Sequence, residues 1–137
     1  MSRATDVAEQ FLAAWSKDDP EALLTLCSDD CVYEDVTVAT VVGSHKELRD
    51  FFTMFRTSMP DLSFLSEQVT ACDRGVTVEW TVSGTHTGTV PGLPPATNKY
   101  AEVRGVSVID IDANGLISGV RDYWDSATWL RQIGLME

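Results

Sequence analysis

The sequence predicts an α+β fold, a strongly curved antiparallel sheet wrapped by N-terminal helices into a cone. Three observations predict it. Apolar residues recur at helical spacing as far as Pro60. From Leu62 the period becomes two, with Val76, Val78, Trp80 and Val82 alternating against Thr77, Glu79 and Thr81. Helices that come first and antiparallel strands that follow as a block belong to the α+β class, not to alternating α/β units. The chain of 137 residues has no internal repeat or linker and is expected to form one domain, 1–137.

Each element has its own signal. Val7, Phe11, Ala14 and Trp15 place an apolar stripe on a first helix that stops near Lys17 and Asp18. Asp19-Pro20 reads as the cap and first-turn proline of a second helix, with Leu23, Leu24 and Leu26 as its apolar side. A short strand follows, from Cys31 to Asp35. Ser44 and Glu47 have capping-box spacing before Leu48, Phe51, Phe52 and Phe55, so a third helix runs from there and ends before Pro60. Leu62 to Leu65 opens the sheet, Asp73-Arg74-Gly75 turns it, and the alternating strand follows. Val90-Pro91-Gly92-Leu93-Pro94-Pro95 is a loop, since proline cannot donate inside a sheet. Tyr100 to Asp112 and Leu116 to Trp124 are strands joined by Ala113-Asn114-Gly115. Ser126 can cap a terminal helix ending at Gly134.

Composition removes several function classes. Ten Lys and Arg stand against 21 Asp and Glu, a net charge of −11. No basic run exists, so no nucleic-acid partner is expected, and an anionic membrane surface would repel the chain. No apolar run approaches the roughly 20 residues of a membrane helix. The segment Met1 to Asp6 lacks an apolar signal core, and the expected compartment is the cytoplasm. Cys27, Cys31 and Cys72 are an odd number without a CxxC and read as small core residues. With no Gly-rich phosphate loop and no HExxH, neither cofactor nor metal is expected.

The residues also carry a resemblance. Ser28 to Asp35 followed by Gly43 resembles the nuclear-transport-factor-2-like superfamily. Glu79-Trp80-Thr81-Val82-Ser83-Gly84-Thr85-His86-Thr87-Gly88, the Gly92-Leu93-Pro94-Pro95 loop and Val103-Arg104-Gly105-Val106 are similar to its SnoaL-like polyketide cyclase branch. Arg121-Asp122-Tyr123-Trp124-Asp125 and Leu130-Arg131-Gln132-Ile133-Gly134 resemble that branch and the limonene-epoxide hydrolases. The branch resemblance implies aldol ring closure resting on one acidic residue of the last strand, and Asp122 stands there. The epoxide-hydrolase resemblance is partial. Tyr33 and Asp122 match its tyrosine and last-strand aspartate, Asp35 stands where it has asparagine, and Trp80 and Val82 occupy its Arg-x-Asp positions. Ketosteroid isomerases place their base at the Asp35 position, but their two oxyanion donors fall on Phe11 and Ser107 here.

Strand parity gives the chemistry independently. Val120, Asp122 and Trp124 share one face, Cys31, Tyr33 and Asp35 another, and Trp80, Val82, Gly84 and His86 a third. If all three line the cone, two carboxylates, a phenol and an imidazole converge on an apolar hollow walled by Trp15, Phe51, Phe55, Trp80, Val82, Ser107 and Trp124. Burial raises a carboxyl pKa and suits it to take a proton and return it. The candidate catalytic residues are therefore Asp122, Asp35, Tyr33 and His86, acting on a hydrophobic, carbonyl-bearing small molecule. Epoxide opening, isomerisation and binding without turnover remain alternatives. Each residue also has a structural alternative: an Asp122–Arg104 ion pair, turn hydrogen bonds for Asp35, a wall position for Tyr33 and a strand-end role for His86. Asp125 is expected to cap the last helix and His45 to be exposed. Both parities around Val106, Ser107, Val108 and Ile109 are largely apolar, which predicts a homodimer packed through the sheet.

Overall fold

The computed structural model describes residues 3–137. Met1 and Ser2, the start of the segment read for a signal core, lie outside the described residues. The elements in chain order are α1 (Arg3–Ser16), α2 (Pro20–Leu26), β1 (Cys27–Asp35), β2 (Thr40–Val42), α3 (His45–Ser58), β3 (Ser63–Cys72), β4 (Gly75–Thr85), β5 (Tyr100–Ile111), β6 (Ile117–Trp124) and α4 (Ser126–Gln132). No helix among the described residues is long and apolar enough to cross a membrane.

The helix ends follow from local chemistry. Asp19 accepts from the Ala22 N–H at 3.1 Å, and Pro20 opens α2. Ser44 accepts from the Glu47 N–H at 3.1 Å, while the Glu47 carboxylate reaches back to the Gly43 N–H at 3.0 Å. At α4 the cap is Asp125, not Ser126: its carboxylate accepts from the Thr128 N–H at 3.0 Å. His45 is half-buried, with Nε2 3.0 Å from the Ser28 carbonyl.

The six strands form one curved sheet in the order β2-β1-β6-β5-β4-β3. The long hairpins β3–β4, β4–β5 and β5–β6 are antiparallel. The Asp112–Leu116 turn between the last two is closed by the Asp112 carboxylate, which accepts from the Asn114 and Leu116 N–H groups. Gly115 takes φ +80 there, a left-handed backbone that costs glycine least. The expectation of a wholly antiparallel sheet needs one correction: β1 runs parallel to β6. Antiparallel neighbours close through short turns, but β1 and β6 are far apart in sequence and nothing local fixes their direction. Also unpredicted are the three-residue β2 and the extension of β1 back to Cys27. Between Cys27 and Val32 the β1 register shifts against Ile117 and Gly119, so the polar Ser28-Asp29-Asp30 stretch bulges out of the ladder.

Helices α1 and α3 cover the concave face. Val7, Phe11, Trp15, Leu48 and Phe52 from the helices meet Tyr33, Val78, Ile109 and Val120 from the sheet, all nearly or fully buried. Cys27 and Cys31 belong to this core, but Cys72 does not: it is exposed at the end of the edge strand β3. Among the described residues no helix covers the convex face. It presents half-buried Val106 and Val108 beside the more exposed Val32 and Tyr123.

Candidate functional site

The concave face and the helices enclose an apolar hollow with about 490 Å³ of space free of protein atoms, its open mouth included. Its wall is mainly aromatic. Phe11 and Trp15 come from α1, Phe51 and Phe55 from α3, Phe64 and Trp80 from the sheet, and Trp124 and Trp129 from the C-terminal end. Ring packing holds these walls together: Phe64 and Trp80 meet edge to face at 4.9 Å, Phe51 and Phe55 at 5.1 Å, and Trp124 and Trp129 at 6.0 Å. Every wall residue expected from the sequence lies here, Val82 and Ser107 included. Phe11 was expected on the apolar stripe of α1 and at the place of a missing donor but not as wall, and Leu62, Phe64 and Trp129 were not expected in the wall. Phe64 has the same parity along β3 as Leu62, but the bulge between Ser66 and Gln68 breaks the sequence alternation that would have placed it.

Four polar side chains of the hollow form one hydrogen-bonded chain. Trp80 Nε1 donates to Ser107 Oγ at 3.0 Å, Ser107 donates to Asp122 Oδ1 at 2.6 Å, and the Tyr33 hydroxyl donates to Asp122 Oδ2 at 2.5 Å. The chain has a direction. An indole N–H only donates, so it occupies the Ser107 oxygen as acceptor and leaves the hydroxyl proton for Asp122. Gly105 makes this possible, because a Cβ there would stand 2.4 Å from the Trp80 ring. Asp35 is the Cα partner of Asp122 across the β1–β6 ladder, and both carboxylates belong to the same wall. Trp124 Nε1 donates to both Asp35 oxygens, at 3.1 and 3.0 Å, and the Val38 N–H donates to Oδ1 at 3.2 Å. Thus Asp35 does accept turn hydrogen bonds while still lining the hollow.

Burial sets the proton affinities. Asp122 is 8% exposed, and removal from water pushes its pKa from 3.8 up to about 7. The hydrogen bonds from Ser107 and Tyr33 oppose that rise, and the charge of Asp35 adds to it. Burial likewise raises Asp35 against the hydrogen bonds of Trp124 and Val38. The Tyr33 phenol is held well above its ordinary value, chiefly by burial and then by the neighbouring Asp122 charge. Neither carboxylate has an ion-pair partner among the described residues. The Asp122–Arg104 pair does not form, because Arg104 has the outward parity of β5 and is exposed.

His86 is the candidate the structure removes from the site. Strand β4 ends at Thr85, and the following imidazole turns into the loop instead of the hollow. It is 5% exposed, and Nδ1 accepts from the Thr97 N–H at 3.3 Å. Its backbone pairs with Lys99 and Asn98, at 2.9 and 2.8 Å, so His86 fastens the base of the Val90 to Thr97 loop. Among the described residues no group of three or more His, Cys, Asp or Glu is placed to hold a metal ion.

A family model for SnoaL-like polyketide cyclases matches residues 5–133. None of the curated proteins compared with the chain matches it. Solved structures are similar throughout. A candidate polyketide cyclase of Xanthomonas campestris pv. campestris is 24% identical, with a TM-score of 0.86 over 96% of this chain and 97% of that one. TsrD of Streptomyces laurentii is 22% identical, with a TM-score of 0.83 over 99% of both chains. A Catenulispora acidiphila protein with a ketosteroid isomerase-like fold, solved with trimethylamine, is 19% identical, with a TM-score of 0.80 over 94% of this chain and 92% of that one. At these identities the structures establish the ketosteroid isomerase-like, or nuclear-transport-factor-2-like, architecture and nothing about substrate. The family match spans nearly the whole sequence, and on that ground the chain belongs to the SnoaL-like polyketide cyclase family.

Proposed function

We propose that the protein is an acid–base enzyme that removes and returns a proton α to a carbonyl of a hydrophobic small molecule, as in aldol ring closure. The observation that carries this is Asp122: a carboxyl buried in an aromatic hollow, gripped by Ser107 and Tyr33, with its pKa raised to about 7. A group with that value is present in both forms near neutral pH, which is where one residue serves best as base and then as acid. In the first step the Asp122 carboxylate takes the α-proton and leaves an enolate. The enolate carbon then bonds to a second carbonyl carbon of the same molecule, whose π pair becomes an alkoxide. Asp122, now protonated, gives its proton to that alkoxide and returns to its starting state. Such acid–base assistance is worth roughly 10²–10⁴-fold. Folding the substrate between the aromatic walls adds an orientation term of comparable size or larger.

Two alternatives are weaker. Epoxide opening has support in the Tyr33–Asp122 hydrogen bond and in the Asp35–Asp122 register. It lacks a cation to polarise the leaving oxygen, since Trp80 and Val82 occupy those wall positions. Binding without turnover would suit carboxylates outside the hollow or neutralised by ion pairs, and neither description fits Asp35 or Asp122. A second copy of the chain is the proposed cover for the convex face.

The test is hydrogen–deuterium exchange at the α-carbons of 2-tetralone in heavy water, followed by proton NMR. Wild-type protein should accelerate exchange above the buffer rate, and Asp122→Asn should return it to background while keeping the native circular dichroism. An Asp122→Asn protein that exchanges at the wild-type rate removes Asp122 as the base.

A further inference from the structure

A base that forms an enolate needs a donor for the oxygen on which the charge collects. The two positions where ketosteroid isomerases carry such donors hold Phe11, which has none, and Ser107, whose proton is committed to Asp122. One turn beyond Phe11 on the same face of α1 stands Trp15. Its Nε1–H is sealed from water and donates to no protein group. Two further indoles of the hollow are satisfied, Trp80 by Ser107 and Trp124 by Asp35.

We infer that Trp15 Nε1–H is the donor for the substrate's carbonyl oxygen. This rests on the proposed role of Asp122. Trp15 belongs to the wall of the same hollow and is 4% exposed. Its neighbours are rings: Phe52 at 4.5 Å, Phe64 at 6.1 Å, Phe55 at 6.2 Å, and Phe51 and Tyr33 at 6.4 Å. None of the phenylalanines offers an oxygen, and Trp15 makes no hydrogen bond to the Tyr33 hydroxyl, whose proton goes to Asp122. Buried N–H groups are almost always paired in folded proteins, and one left over at the wall of a hollow points to a catalytic or binding role. The Trp15 backbone is fixed as well, because Arg56 Nη1 donates to its carbonyl at 3.3 Å. The donor is thus carried by a helix and the base by the sheet, both on the wall of one hollow, and a small turn of the indole on binding brings its buried N–H to the substrate oxygen. The step needs no further reagent. As the α-proton passes to Asp122, the C–H pair becomes the C=C bond of the enolate, the carbonyl π pair moves to oxygen, and the indole N–H shares its proton with that oxygen.

The test separates the donor from the base. Binding of 2-naphthol and of naphthalene is measured by fluorescence titration for wild type, Trp15→Phe and protein carrying 3-benzothienylalanine at position 15, which keeps the bicyclic shape and replaces the N–H by sulfur. Removing the N–H should weaken 2-naphthol about tenfold, about 1.4 kcal/mol, and change naphthalene by less than about twofold. Equal losses for both ligands in the benzothienyl protein, or no loss for 2-naphthol, overturn the inference. In the 2-tetralone exchange assay the same proteins should lose about 10²-fold in rate, the scale of one lost oxyanion donor. Wild-type exchange that survives loss of the N–H refutes the donor and leaves Asp122 standing. Absent exchange in the wild type refutes the base, and the naphthol comparison alone then decides the donor.

Discussion

Replacing Asp122 by asparagine should change how stability depends on pH, and the structure sets the scale. The folded-state pKa of Asp122 lies at about 7 against 3.8 for a free side chain. A rise of about three units at 1.36 kcal/mol each is a linkage of about 4 kcal/mol. The sign follows from proton binding. Below about pH 4 the carboxyl is protonated in both states, and Asp122 contributes no penalty. Above that the unfolded chain releases the proton before the folded one does. Stability therefore falls as pH rises from about 4 and levels off above about 7, where both states are ionised. Asparagine removes the titration and keeps the contacts, since its Oδ1 can accept from Ser107 and its amide can donate to a turned Tyr33 hydroxyl. Urea unfolding of both proteins between about pH 4 and pH 8 measures the difference. The wild type should lose up to about 4 kcal/mol relative to Asp122→Asn across that interval. The comparison cancels the general repulsion of a chain with net charge −11, which both proteins share almost equally. Parallel curves would mean that Asp122 is ionised and hydrated in the folded state, and the acid–base proposal would lose its foundation.

Other consequences are smaller. Ser107→Ala strands the Trp80 N–H and removes a donor from Asp122, which should cost about 2–4 kcal/mol in urea unfolding. It should also move the Asp122 carboxyl titration seen by carbon NMR to higher pH, because the Ser107 hydrogen bond lowers that pKa. Arg56 on α3 donates to the carbonyls of Trp15, Leu62 and Pro60 and faces Asp18 at 3.7 Å, tying the end of α1 to the start of β3. Arg56→Met should therefore cost about 2–4 kcal/mol, and an unchanged urea midpoint would refute that reading. If a second copy covers the convex face, light scattering at micromolar concentration should return twice the 15.1 kDa chain mass, and a stable monomer would overturn that proposal.

The parts of the fold legible in the sequence were those fixed by local rules. Asp19-Pro20, the Ser44 and Glu47 pair and the alternation from Val76 to Val82 each satisfy backbone groups within a few residues, and each element stands where it was expected. Inward parity placed Tyr33, Asp35, Trp80, Ser107 and Asp122 on the hollow, because side chains on a strand alternate without exception unless a bulge intervenes. Where the rule met a strand end it failed. His86 continues the parity of Trp80 and Val82, but β4 stops at Thr85, and the ring answers to the Thr97 N–H instead of the sheet. Cys72 failed for a related reason: an edge strand at the rim has no second layer to bury it. The unpartnered Trp15 N–H had no sequence signal, since a missing acceptor is a property of all its neighbours together.

The parallel pairing of β1 with β6 matters most for the chemistry, and it was the feature least visible beforehand. It sets Tyr33 opposite Val120 and Asp35 opposite Asp122, so residues almost ninety positions apart share one wall. Two consequences follow from that single register. The phenol reaches the carboxyl of the neighbouring strand and occupies Asp122 Oδ2 while Ser107 occupies Oδ1. The second carboxylate is close enough that its charge raises the proton affinity of Asp122 further. A slip of β1 by one residue would turn Tyr33 and Asp35 toward the convex face and bring Val32 and Glu34 inward. Asp122 would then keep Ser107 but lose both neighbours that tune it. Burial holds the base on the last strand near neutral pH, and the first strand, which supplies no proposed base of its own, adjusts that value in both directions, down through the Tyr33 hydrogen bond and up through the Asp35 charge.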